Sequence, residues 1–349
     1  SLCNIVDSVS FVRNAGFILS LSELDVKNSI FDSNVREGGN SNTALIIGIS
    51  KRIRVFNTNF SNNITDGELI FGDEIFIERC RLENNNCKYS LVESSSDLFV
   101  NQSYIYNCVG NRVFDATNQM LLQSDTIEAC KFNYMSERCY NRLIDSCLIK
   151  NNDSYLFYQQ GNFDLSNTKI VDNYKTDMDE NLAIIDLSGE EENVVNIYNT
   201  IFKDNKYGDC VFLKNSGTFS FNFDHCLSYS NESRQYFELS NTQSNILNST
   251  FDNCVVTNGP LINIGSEASL RSENSSYINN TSYADILCSK EGNSLILTNN
   301  TIAKNSAVNI IYDYSSDYSA YLNNTIVGNM VSFPGLPILR EAYCDSFDF

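Results

Sequence analysis

The chain has 349 residues and no Trp, one His, three Pro and only 24 Lys plus Arg against 43 Asp plus Glu. A net charge of -19 leaves no basic footprint for a nucleic acid. It also argues against an enzyme for polyanionic polymers, which would need a basic cleft. Charged residues make up 19% of the chain and hydrophobic residues 42%, too apolar for a disordered segment. No stretch reaches the ~18 consecutive apolar residues of a membrane span. No basic-then-apolar leader opens the chain, so it reads as a mature or excised segment, with any membrane attachment through segments outside it. Twelve Cys are present without a CxxC pair or a Cys/His cluster, which leaves a zinc site without support. What the chain has in abundance is asparagine, 49 residues. Asn, with Ser and Thr, favours turns and caps over helix interiors.

Those asparagines are periodic. One seven-residue phrase recurs as NSIFDSN (28–34), NTNFSNN (57–63), NTKIVDN (167–173), NTIFKDN (199–205), NSTFDNC (248–254), NSSYINN (274–280), NNTIAKN (299–305) and NNTIVGN (323–329). Weaker copies, such as RCRLENN (79–85) and SCLIKNN (146–152), bring the total to fourteen, with intervals of 20 to 32 residues and a mean of about 24. The last position is Asn in eleven copies, among them Asn34, Asn63, Asn85, Asn152, Asn173, Asn205, Asn231, Asn280, Asn305 and Asn329, and Cys in the other three. Three residues earlier, thirteen of fourteen copies are apolar and Ser228 is the exception; eight residues before the end only Ser272 breaks the column. Six residues before the end, Asn recurs in eight copies.

Between the phrases lie runs such as ALIIGI (44–49), ELIFG (68–72) and LAIID (182–186), short and bounded by Gly, Asn or Ser, the signature of strands. A unit with two or three short strands and no helix cannot bury its own apolar side, but stacking on like units can. Equivalent residues then sit ~4.8 Å apart, the strand spacing, and Asn amides form ladders at the turns. The expected fold is all-β, a single-stranded parallel β-helix (β-solenoid) of about fourteen coils over residues 1–330, with 331–349 a tail or cap. Its height would be roughly 60 Å. Residues 35–43 and 174–193 are expected to project as loops.

The phrase with Phe or Ile, two residues, then Asn resembles the FxxN repeat of polymorphic outer-membrane-type β-helix adhesins and the β-helix surface proteins of protists. The resemblance spans about residues 4–330 and implies a right-handed solenoid, in accord with the crossover rule for parallel strands. It implies an extracellular or cell-surface location and a structural or adhesive role. The GGA[ILV] companion phrase of those adhesins is absent; only Gly38-Gly39 and Asn258-Gly259 occupy comparable places.

Catalytic, cofactor and metal residues are expected to be none. The motifs of pectin-degrading β-helix hydrolases are missing, and Asp115, Asp145 and Asp186 fall at different phases of the repeat. His225 replaces an Asn of the phrase and reads as a turn residue, and the acidic runs at 177–180 and 190–192 read as solvated loop charge. Cys108 and Cys130 share the last column in successive coils, where a disulfide and two packed thiols are equally open. Eleven Asn-x-Ser/Thr sequons occur. Asn63, Asn152, Asn231 and Asn280 are placed in the buried last column, and Asn248, Asn274, Asn299 and Asn323 in a second ladder. That leaves Asn59, Asn101 and Asn279 as glycan acceptors.

The expected function is therefore a non-enzymatic surface β-helix that binds a protein or glycan. The alternatives are a subunit that self-associates end to end into a filament or coat, because solenoid ends expose unpaired strand edges, and a carbohydrate-active β-helix enzyme.

Overall fold

The computed structural model describes residues 3–15, 18–20, 23–36, 44–48, 52–137, 139–158, 161–175, 183–188, 194–289, 293–313, 318–331 and 343–344. The acidic runs and most of the two expected loops lie outside these residues. Among the described residues there is no helix, and every strand pairing is parallel between successive coils, so the chain is a parallel β-solenoid. It divides into two compact units, residues 1–159 and 160–349.

Most coils place a five-residue strand, such as Arg52–Phe56, and a three-residue strand, such as Asn59–Ser61, on either side of a corner; in the second unit Lys206–Asp224 and Glu232–Leu247 run into that corner as single long strands. A third set of strands, such as Ser90–Ser94, closes the turn. Seven three-residue strands stack in the first unit, from Ser10–Val12 to Leu148–Lys150, and seven in the second, from Lys169–Val171 to Thr325–Val327. Of residues 331–349, expected to leave the repeat, the described ones still pair: Val331 with Ala307, and Tyr343–Cys344 beside Tyr312–Asp313.

The phrase is rigid for a backbone reason. All fourteen residues six before the phrase end, from Ser8 to Asn323, have φ near +50°. All fourteen residues one before the end, from Arg13 to Gly328, are also left-handed. Two left-handed residues, always five apart, therefore turn the chain into and out of each three-residue strand. Asn is the commonest residue at both places because its short polar side chain tolerates this conformation better than any other apart from Gly. The recurrence of Asn six before the end is thus a conformational requirement. The column is exposed, and its amides hydrogen-bond along the surface, as from Asn57 Nδ2 to Asn28 Oδ1 at 2.8 Å.

The residue after each left-handed corner turns inward. At the phrase end this is the expected Asn column, buried throughout both units from Asn34 to Asn329. Asn63 Nδ2 donates to Phe31 O and to Asn85 Oδ1, both at 2.9 Å, while its Oδ1 accepts from Asn34 N at 3.0 Å. A second buried column, five before the end, was not recognised in the sequence because its residue type varies. It holds Ser29, Thr58, Cys80, Ser103, Asp125 and Cys147 in the first unit and Thr168, Thr200, Cys226, Ser249, Ser275 and Asn300 in the second, all buried. Its constant feature is a side-chain acceptor for the backbone N–H one coil before, as in Ser103 N to Asp125 Oδ1 at 2.7 Å and Ser275 N to Asn300 Oδ1 at 2.9 Å.

Apolar columns fill the interior. Phe31, Phe60, Leu82, Ile105, Ile127 and Ile149 stack in the first unit, with the Phe31 and Phe60 rings 4.8 Å apart. The second unit is more aromatic, with Phe202, Phe212, Phe223, Tyr236, Phe237 and Phe251 in mutual contact. Both column breaks noted in the sequence lie there, and each faces a buried Tyr. Ser228 Oγ contacts Tyr236 OH, whose ring fills the space of the missing side chain, and Ser272 Oγ meets Tyr277 OH at 2.8 Å. A hydroxyl partner for each buried phenol is what burial demands.

Candidate functional site

The third strands of the first unit bring together residues that the repeat phrase does not contain. Ser90–Ser94, Arg112–Ala116, Lys131–Glu137 and Asp153–Tyr158 pair in sequence, so Glu93, Asp115 and Glu137 stack in one column that ends on Tyr158. Three residues earlier, Ser90, Arg112, Tyr134 and Tyr155 form a second column. Glu68, two residues before Ile70, falls level with Ser90 because Ile70 is in register with Val92.

Arg112 is the hub of this group. Its Nη1 lies 3.2 Å from Asp115 Oδ2 and its Nε donates to Glu137 Oε2. Ser90 Oγ donates to Glu93 Oε2 at 3.3 Å. Glu68 is 5% exposed, and its Oε2 is buried without a hydrogen-bond partner. Burial pushes its carboxyl up to about 7; the Glu93 charge adds to the shift and Arg112 opposes it. Such a group holds a proton near neutral pH and can give it up. A second guanidinium, Arg142, is fully buried in the column that holds Ile53, Ile75, Leu98 and Met120 in the preceding coils. Its Nη2 donates to Tyr158 O at 2.8 Å, and burial lowers its pKa while Cys139 and Asp115 oppose that. The Tyr134 ring packs 5.7 Å from Tyr155 and 5.4 Å from Tyr158, and Tyr89 stands exposed beside the group. Among the described residues, no three His, Cys, Asp or Glu side chains converge tightly enough to hold a metal ion.

The carboxylate column escaped the sequence for one reason. Asn86 bridges Val109, 23 residues on, whereas Ser90 pairs with Arg112, 22 residues on. This one-residue slip puts Glu93 eight residues past its phrase end but Asp115 and Glu137 seven past theirs. Gly110 sits at the slip, where a Cβ would come within 2.7 Å of Cys87 O. Asp115 therefore joins a column with Glu93 and Glu137 instead of ending a strand alone. Asp145 and Asp186 take no part: Asp145 lies on the five-residue strand Asn141–Asp145, and Asp186 lies in the second unit.

On the five-residue strands of the same unit, an outward column runs Arg54, Phe76, Phe99, Leu121, Leu143. The Phe76 and Phe99 rings stack at 4.6 Å, Arg52 lies over Phe76 at 5.4 Å, and Leu143 is exposed. Asn101, Gln119, Gln123 and Asn141 border this strip on the same strands, and the remaining equivalent positions include Arg52, Glu74, Glu78, Asp97 and Asp145.

The other sequence-derived candidates are placed as follows. Cys108 and Cys130 are free, buried thiols, and burial pushes the Cys130 thiol up. His225 occupies the left-handed corner column, exposed, with Nδ1 2.7 Å from Asp224 Oδ1. Asn59 and Asn101 are half-buried, and Asn59 Oδ1 is enclosed without a partner. Asn279 is exposed. Asn248, Asn274, Asn299 and Asn323, expected in a second ladder, lie on the exposed corner column, where their amides do form a ladder, and a second buried column is the one next to it.

No family model matches the chain, and no curated protein matches it. Among solved structures, the tailspike protein of E. coli bacteriophage HK620 in complex with a pentasaccharide is 12% identical over 92% of this chain, with a TM-score of 0.30. The chain spans 66% of that tailspike's length. A mannuronic acid specific polysaccharide family 6 lyase from human gut microbiota is 9% identical, with 92% of this chain and 86% of that one covered and a TM-score of 0.25. A family 6 alginate lyase is 8% identical over 94% of this chain and 77% of that one, at 0.21.

Proposed function

We propose that the protein is a non-enzymatic recognition solenoid, displayed outside the cell, that binds a neutral glycan along the outward strip of its first unit. The observation that carries this reading is the Phe76–Phe99–Leu121–Leu143 column, bordered by amides and by the carboxylates of Glu74, Glu78, Asp97 and Asp145. Apolar and aromatic surface suits the C–H faces of sugars, and flanking amides supply both donors and acceptors for hydroxyls. A neutral ligand is favoured because the chain's net charge of -19 repels polyanions. The surface location rests on the resemblance of the FxxN-type phrase to surface adhesins. The test is a glycan array followed by titration of the best neutral oligosaccharide. Phe99→Ala should weaken binding at least tenfold without changing the far-ultraviolet circular dichroism. Equal binding by the variant, or selection of only charged glycans, would overturn the reading.

A second reading has its own support: Glu68, with its raised pKa and unpaired oxygen beside Glu93 and Arg112, has the character of a general acid. Reducing-end release from a neutral polysaccharide, lost in Glu68→Gln, would favour an enzyme. Binding without release would favour the first reading.

A further inference from the structure

The eleven sequons fall into classes that the count of amide protons separates, and this makes one modification site assignable. We infer that the exposed corner column of the second unit is an N-glycan acceptor ladder, Asn248, Asn274, Asn299 and Asn323, whereas the sequons of the buried Asn column are barred from glycosylation in any folded molecule.

An Asn side chain has two protons on Nδ2. N-glycosylation forms a bond from Nδ2 to the anomeric carbon of an oligosaccharide carried on a lipid diphosphate. The bond from that carbon to the diphosphate oxygen breaks, the lipid diphosphate leaves, and one Nδ2 proton is lost. The product keeps a single N–H. A site is therefore compatible with the fold only where no more than one proton is committed and the other faces solvent.

The exposed column meets both conditions. Asn248 Nδ2 donates once, to Asp224 Oδ1 at 2.9 Å; Asn274 Nδ2 donates once, to Asn248 Oδ1 at 3.3 Å; Asn299 Nδ2 donates once, to Asn274 Oδ1 at 3.3 Å. All four residues are exposed. Their +2 residues, Thr250, Ser276, Thr301 and Thr325, are on the three-residue strands and none is buried. The surface ladder can survive glycosylation because the remaining proton still serves it. Asn279, donating once to Asp252 Oδ1 at 2.8 Å, qualifies in the same way.

The buried column fails both conditions. Asn63 donates to Phe31 O and Asn85 Oδ1, Asn231 to Phe202 O and Ser228 Oγ, and Asn280 to Phe251 O and Asn305 Oδ1. Asn152 is likewise 0% exposed, and the +2 residues Thr65, Ser154, Ser233 and Ser282 are all buried. A sugar on any of these four would occupy the solenoid interior. Because successive coils stand ~4.8 Å apart, two neighbouring acceptors of the exposed column cannot both carry a branched oligosaccharide, so occupancy should alternate along it.

The experiment expresses the chain behind a cleavable leader in a eukaryotic secretory host and reads site occupancy by glycopeptide mass spectrometry on the folded protein from the medium. The expected result is sugar on members of the exposed column and none on Asn63, Asn152, Asn231 or Asn280. Sugar at any of those four on more than one folded molecule in ten overturns the proposal, as does an exposed column that stays bare. If the chain is retained in the cell, the variant Thr65→Ala/Ser154→Ala/Ser233→Ala/Ser282→Ala decides, since it lacks the four buried signals. Its secretion with sugar on the exposed column is expected. Its retention, when the same variant folds in a bacterial cytosol, overturns the inference, and so does its secretion without sugar.

Discussion

The two buried corner columns do the same work with different chemistry. In both, a side-chain acceptor receives the backbone N–H of the coil before. The column at the phrase end does so almost wholly with Asn, whose amide also donates twice, and it stands out in the sequence. The column five residues earlier is mostly hydroxyls, each with a single proton that is given chiefly back to its own turn, as Thr58 Oγ1 does to Phe56 O at 2.9 Å, while Asn300 Nδ2 reaches Ser272 O in the coil before. Any small group with a lone pair suffices there. The comparison teaches that residue identity is constrained by the number of bonds a site must make; burial alone does not fix it.

The largest expected effect tests the two-donor column. Asn63→Ala removes two donated bonds and leaves Phe31 O, Asn34 N and Asn34 Nδ2 without their partner. A loss of about 3–5 kcal/mol follows from several unsatisfied buried groups, measured by urea unfolding. Thr58→Ala, in the other column, should cost less than half of that.

Asp125 sharpens the comparison through pH. Burial raises its pKa from 3.8 to about 7. A group whose folded pKa is raised contributes its stability at low pH, and that contribution is lost as pH rises from about 4 through 7. Asp125 accepts from Ser103 N and Gln123 N with its two oxygens; Asp125→Asn keeps one acceptor and removes the charge, as protonation does, and should therefore stabilise the protein by about 2–4 kcal/mol at pH 8 and by little at pH 4. Denaturant midpoints that show the same gain at both pH values would exclude this account.

A smaller effect concerns the buried phenol opposite Ser228. Tyr236→Phe should cost about 1–2 kcal/mol, because it removes the partner of a buried hydroxyl. In Ser228→Ala/Tyr236→Phe the loss should fall short of the two single losses added together, although Ser228→Ala also takes an acceptor from Asn231 Nδ2; a double-mutant cycle reads this coupling directly. The smallest expected effect is a gain. Ala129 sits at a left-handed corner with φ 56°, and Ala129→Gly should stabilise by about 0.5–1 kcal/mol, seen as a rise in melting temperature.

Much of the architecture was legible because stacking forces equivalent residues into columns. The Phe31–Phe60 column and the Asn34–Asn63–Asn85 ladder are both written at fixed distances from one phrase. Two things were hidden. The left-handed role of Asn57 and its equivalents looks the same in sequence as the ladder role of Asn63, because both positions select Asn. The Glu93–Asp115–Glu137 column was concealed by the one-residue slip at Gly110, since alignment to the phrase cannot carry across an insertion.

The paired left-handed corners, always five residues apart, act as a ruler. From Asn63 to Asn85 a coil takes 22 residues, and from Asn173 to Asn205 it takes 32, yet the phrase between the corners never changes length. Every insertion and deletion between these coils has been absorbed on the other side of the turn. A chain built this way separates the part that keeps count from the part that is free to vary. Length and sequence can drift on the third strands and their connections without disturbing the stacking register, so that side is where new surface can be acquired at the least risk to the fold.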